Sequence, residues 1–226
     1  MLFKIIDFER RGERQENTER GRARKRKDFQ FSNSNNPDAL CIIPYTSGST
    51  GIPKGCKHTN RTVNSVIHSY LKWLPVPQQS NILTTLPLFH VTGSHAGLLM
   101  SILSGRKIVL MPKWDPTEAL KLIEAERITA ITGVPTQTWD LLNHPQRDEY
   151  DLSSLDDLSG GGAPRPPEHV KRLNDEMNGS PSIGYGLTET NAVGTLNAGE
   201  DYIKHAASCG KAVPPVTEIA IADHDW

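Results

Sequence analysis

Cysteine is scarce: Cys41, Cys56 and Cys209 are the only three in 226 residues, odd in number and widely spaced. That pattern argues against a disulfide framework or a Cys-based zinc site and points to a reducing compartment. Long apolar runs are missing too. The stretch "HAGLLMSIL" is interrupted and falls short of the ~18 residues a membrane span needs, so no span is expected. The N-terminus, "MLFKIIDFERR", lacks the apolar core of a secretory signal, and Asp7, Glu9, Glu13, Glu16 and Glu19 disfavour a mitochondrial presequence. The expected location is the cytoplasm. His58, His68, His95 and His144 show no metal spacing and read as surface or structural residues.

An overall excess of charge is absent, the formal net charge being -1, yet ten of the 25 Lys and Arg fall between Lys4 and Lys27. Residues 1–37 carry no hydrophobic period after Phe8 and close on the polar run "SNSNNPD", a composition expected to stay disordered or loosely helical. The cluster Arg22 to Lys27 has the composition of a nuclear signal or a nucleic-acid arm, but a solvated tail is the favoured reading and no nucleic-acid partner is expected.

From residue 38 to 226 the signals alternate between strand and helix. "ALCIIPY" reads as a buried parallel strand. Val63, Val66, Ile67, Tyr70, Leu71 and Leu74 recur at helical spacing, with Thr59 or Asn60 as cap. "NILTTLP" and "KIVLM" read as strands around the helix "SHAGLLMSILSG", which Gly105 closes. In "WDPTEALKLIEAERI", Asp115 is the N-cap, Pro116 takes the first helical position and Glu118 completes a capping-box pattern. "TAITGVP" and "TEIAIAD" are expected strands, "PTQTWDLLNH" and "PPEHVKRLNDEM" helices. The expected fold class is α/β, with largely parallel sheets flanked by helices.

The stretch "YTSGSTGIPKG", Tyr45 to Gly55, packs three glycines and four Ser or Thr residues around one lysine. Free backbone N–H groups, the hydroxyls of Thr46, Ser47, Ser49 and Thr50, and the Lys54 ammonium make a polyphosphate cradle. It is not a Walker A loop, because Lys54 follows Pro53 and precedes Gly55 rather than Ser or Thr.

That loop resembles the phosphate signature of the adenylate-forming enzymes, which include acyl-CoA synthetases, luciferases and peptide-synthetase adenylation domains. Three further motifs follow in that family's order. "LPLFHVTG" is similar to its acyl-pocket motif, "GGGAP" to its adenine loop and "GYGLTET" to its nucleotide and magnesium motif. The resemblance implies ATP-dependent activation of a carboxylic acid to an acyl-adenylate and then to acyl-CoA, with ATP, Mg²⁺ and CoA taking part. It implies that Thr46, Ser47, Gly48, Ser49, Thr50, Gly51 and Lys54 hold phosphates. Thr188 would touch the α-phosphate and Glu189 would help hold Mg²⁺, so Lys54, Thr188 and Glu189 would carry the catalytic charge neutralisation. Gly161, Gly162 and Ala163 would line adenine opposite Tyr185, within the nucleotide motif of Gly184, Tyr185, Gly186 and Thr188.

Phe89-His90-Val91 replaces the aspartate that amino-acid-activating relatives use, which suits an acid without an α-amine. His90 would wall the acyl pocket, with Val134, Thr136 and Trp139 shaping it, and a fatty or aromatic acid is expected. The family's ribose aspartate, hinge and C-terminal domain with its lysine cannot be placed after "IADHDW". The expectation is therefore a partial AMP-binding domain over 38–226, within a longer enzyme. The alternative is a truncated nucleotide-binding remnant without turnover. The sequence carries no signal for oligomeric state.

Overall fold

The structure, a computed structural model, describes residues 3–5, 36–48, 51–74, 79–177 and 179–222. Two short ribbons precede the main body. Strand β1 (Phe3–Ile5) belongs to the main sheet, whereas β2 (Leu40–Ile42), β3 (Tyr45–Thr46), β4 (Lys54–Gly55) and β5 (His58–Thr59) do not. β2 pairs antiparallel with β5, and β3 with β4. Thr59 then caps α1 (Asn60–Trp73), its hydroxyl accepting from the Thr62 N–H while the Thr62 hydroxyl accepts from the Thr59 N–H.

The chain next builds β6 (Asn81–Thr84) and a π-helical segment, Thr92–Leu99, that continues as α2 (Met100–Ser104) and ends at Gly105 in the left-handed region. After β7 (Lys107–Leu110), Asp115 caps α3 (Pro116–Glu126) by accepting from the Glu118 N–H at 2.9 Å. β8 (Ala130–Gly133), α4 (Pro135–Leu142), β9 (Asp157–Gly161), α5 (Pro167–Glu176) and β10 (Ser180–Tyr185) follow. A 3₁₀ turn (Thr188–Thr190) leads into β11 (Thr195–Ala198), α6 (Gly199–Lys204) and β12 (Lys211–Ala212).

Among the described residues the main sheet runs β1-β7-β6-β8-β9-β10-β11-β12. Every neighbouring pair from β1 to β10 is parallel, and β11 and β12 are antiparallel additions. Alternation along the strands serves two covers. Ile82 and Ala130 meet α1 and Met100 on one face, while Leu83, Ile131 and Leu158 meet Leu120, Ile123, Leu141 and Leu173 of α3, α4 and α5 on the other. The expected α/β architecture is the one found.

Three local expectations differ. "ALCIIPY" is not a buried parallel strand: Leu40, Ile43 and Tyr45 are exposed and the strand pairs with β5 outside the main sheet. An apolar run shows that a segment favours extension, not which sheet receives it. "TEIAIAD" forms no strand over its described residues, 217–222, where Ile219 and Ile221 are exposed and no neighbouring strand pairs with them. Within the segment expected to lack packed structure, the backbone of Phe3–Ile5 pairs in parallel with Ile108–Leu110. The basic cluster Arg22 to Lys27 lies outside the described residues.

Candidate active site

The carboxyl ends of β8, β9 and β10 and the two ribbons converge on one edge of the molecule. There the β3–β4 ribbon sets Thr46 directly opposite Lys54. Between them Gly48 (φ +70°) and Gly51 (φ +79°) turn the chain, and the Gly51 N–H donates to the Gly48 carbonyl at 3.2 Å. A Cβ on Gly48 would stand 2.1 Å from the Ile52 carbonyl oxygen, so the tight loop requires glycine there. Ser47 and Lys54 are exposed and Thr46 half-buried. Ser49 and Thr50 lie outside the described residues.

Lys54 borders an open cleft of about 730 Å³ shared with Cys56, His58, Arg61, Glu189 and Asn191. Burial and the neighbouring Glu189 carboxylate push the Cys56 thiol up. A second, more enclosed cavity of about 370 Å³ is lined by His90, Val134, Gly161, Gly162, Gly184, Gly186 and Thr188. Thr188 faces this cavity and Glu189, the next residue, faces the cleft. The 3₁₀ turn is thus the wall between them.

That turn is held from below by a buried histidine, and a second lies near its end. His58 is buried, and its Nε2 lies 2.8 Å from the Thr188 carbonyl oxygen; because a carbonyl only accepts, Nε2 carries the proton. His95, buried on the π-helical segment, accepts or donates at Nδ1 with the Ser94 hydroxyl at 2.7 Å and lies against the Asn191 side chain. Burial, reinforced by His58, pushes His95 below the ordinary histidine value and keeps it neutral. Gly186 fits because its α-carbon passes close to the Ala192 carbonyl, where a Cβ would come within 2.2 Å.

Most of the residues singled out from the sequence therefore gather around one turn. Of the residues expected around the adenine and the acyl group, Thr136, Tyr185, Ala163 and Trp139 do not line the enclosed cavity. Tyr185 is half-exposed on the other side of β10 from Gly184, and Ala163 is exposed in the loop after β9. Trp139 packs edge-on against His169 at 5.0 Å and under the Arg172 guanidinium at 5.6 Å. α4 turns that face toward α5. His58, read from the sequence as surface or structural, is structural here, and its bond to Thr188 could not be foreseen from a two-residue strand too short to show a period.

The profile of the AMP-binding enzyme family matches residues 3–225. This chain belongs to the AMP-binding enzyme family. Among AMP-binding relatives, it is 35% identical over 189 residues to "3-[(3aS,4S,7aS)-7a-methyl-1,5-dioxo-octahydro-1H-inden-4-yl]propanoyl:CoA ligase" of Mycobacterium tuberculosis, covering 83% of this chain and 37% of that protein. A solved Mycobacterium tuberculosis fatty acyl CoA synthetase superposes with a TM-score of 0.73 at 32% identity, over 78% of this chain and 34% of the other. O-succinylbenzoate Coenzyme A synthetase of Bacillus subtilis, solved in complex with ATP and magnesium ion, superposes with a TM-score of 0.71 at 29% identity, over 79% and 36%. The chain spans about a third of the length of these AMP-binding relatives.

The residues present fit a nucleotide with its metal. Among the described residues no group of three or more His, Cys, Asp and Glu could form an all-protein metal cage. Mg²⁺ does not ask for one, since it is held by one or two carboxylates together with substrate phosphates and water. Glu189, a carboxylate in the cleft that Lys54 borders, is compatible with such a site. Among the described residues no helix is long and apolar enough to cross a membrane.

Proposed function

We propose that the protein activates a carboxylic acid with ATP, forming an acyl-adenylate and pyrophosphate, and passes the acyl group to the thiol of CoA. The observation that carries this reading is the turn in which Thr188 borders the enclosed cavity and Glu189 the cleft of Lys54. An acid seated in the cavity brings its carboxylate to the wall, where the phosphate side begins.

Two anions must meet there, so the work of the site is charge neutralisation and alignment. Lys54, Thr46, Ser47, Ser49, Thr50 and the N–H groups around Gly48 and Gly51 hold the phosphates that leave as pyrophosphate. Glu189 holds Mg²⁺, which when bound neutralises phosphate charge. Thr188 orients the phosphate that is attacked, and His58 fixes the Thr188 carbonyl and with it the turn. Gly161, Gly162 and Ala163, with Tyr185 on the outer side, bracket the adenine. His90 and Val134 wall the acyl group.

The acid is fatty or aromatic and lacks an α-amine, because His90 stands where an ammonium would need a carboxylate. A fatty acyl CoA synthetase and an o-succinylbenzoate CoA synthetase among the structural neighbours support that range. The test is AMP release on mixing the protein with ATP, Mg²⁺, CoA and a panel of fatty and aromatic acids. Acid-dependent AMP is expected. ATP binding without AMP from any acid would favour a nucleotide-binding protein without turnover.

A further inference from the structure

The floor of the enclosed cavity is more polar than a site for a plain alkyl chain requires. Parallel registers set Thr84 beside Thr132, Thr132 beside Ser159 and Ser159 beside Ser182. Strand alternation points this row to the α1 face, whereas the preceding residues Leu83, Ile131 and Leu158 fill the apolar core on the opposite face. Four hydroxyl residues thus cross four neighbouring strands in line. Thr132, Ser159 and Ser182 line the cavity, together with Tyr70 of α1 and its C-cap Leu74. Thr84, at the end of the row, is buried with its hydroxyl unpartnered among the described residues.

The hydrogen bonds of the row have a direction. Ser182 Oγ donates to Ser159 Oγ at 3.0 Å, and Ser159 Oγ donates to the buried Asp157 carboxylate. A hydroxyl has one proton and two lone pairs, so both protons are committed inward and Ser182 Oγ keeps acceptor capacity. We infer that this floor recognises acids carrying a hydroxyl group remote from the carboxyl, the ligand hydroxyl donating to Ser182 Oγ and extending the chain through Ser159 to Asp157. This rests on the reading of the cavity as the acyl site. Burial pushes the Asp157 carboxyl up to about 6, with the Ser159 and Ser182 hydroxyls pulling the other way, so at pH 7.5 it remains an acceptor and the direction holds. Ser182 lies two strand residues, or about 6.6 Å, deeper than Gly184, which keeps the recognised group away from the reacting end.

The experiment compares acids that differ by one hydroxyl, such as octanoic acid and its hydroxylated positional isomers, by calorimetric binding at pH 7.5. AMP release is measured in parallel. At least one hydroxy acid is expected to bind about tenfold tighter than its parent, the scale of one satisfied hydrogen bond. Ser182→Ala should bring the ratio near one, while Ser182→Thr, which keeps the hydroxyl, should preserve it in a chain of matching thermal stability. Equal or tighter binding of the plain acid, binding of neither acid, or a preference surviving Ser182→Ala would overturn the inference. AMP release separates the two claims: a hydroxyl preference without AMP leaves the floor standing and removes the activity, whereas AMP with no preference does the reverse.

Discussion

His58 Nε2 stands 2.8 Å from the carbonyl oxygen of Thr188, 130 residues away in the chain. The bond joins the strand that follows the phosphate loop to the turn that carries Thr188 and Glu189. Lys54 and Glu189 share a cleft because these two segments are tied at their base.

Replacing His58 by Phe should therefore leave a carbonyl without its donor and cost about 1–3 kcal/mol of stability. His58→Gln, which retains an N–H, should recover part of it. Urea denaturation measures the stability, and nucleotide titration should show a larger loss for Phe than for Gln. Equal losses for both would mean that the imidazole acts only by filling space.

The pH dependence of stability contains two opposing contributions on the α5 side of the molecule and beneath the cavity. Burial raises the Asp157 carboxyl to about 6, so its contribution is fully present below the ordinary carboxylate value and is lost as the pH rises through about 6. Burial, with Arg165 and Arg172 nearby, lowers His169 to about 4, so its contribution is present above the ordinary histidine value and is lost as the pH falls toward about 4. Between pH 7 and pH 5 the two nearly offset. Relative to the parent chain, His169→Gln should gain thermal stability on acidification over that interval and Asp157→Asn should lose it. Parallel slopes for all three proteins would refute the assignment.

Trp139 is half-exposed and packs on His169 and Arg172 rather than on the cavity. Trp139→Ala should cost about 1–2 kcal/mol, less than a fully buried tryptophan, and should leave the ranking of acids in a binding panel unchanged. A reordered panel would return Trp139 to the pocket.

Much of this arrangement is legible in the sequence, and the exceptions have physical reasons. The Asp115-Pro116 start of α3 and the apolar period of α1 are local signals, and the helices formed where those signals lie. The glycine-rich loop and the Thr188-Glu189 pair were readable because their chemistry is concentrated in a few consecutive residues. β9 and β10 were not read as strands, since "DLSGG" and "SPSIGY" carry serine and glycine where a buried strand is expected to carry Val or Ile. The same serines form the cavity floor, which depends on strand register and so on contacts far apart in sequence. The role of His58 was not legible for a related reason, its partner being a backbone carbonyl on another element.

The central claim is that the ribbon around Gly48 and Lys54 holds the polyphosphate of ATP. Calorimetric titration of ATP with Mg²⁺ into the chain and into Lys54→Ala tests it most directly. The account predicts binding that weakens by about tenfold to a hundredfold in the variant, the scale of a lost charge-assisted hydrogen bond, with AMP affected far less because it lacks the β and γ phosphates. Equal affinity of the two proteins for ATP would contradict it.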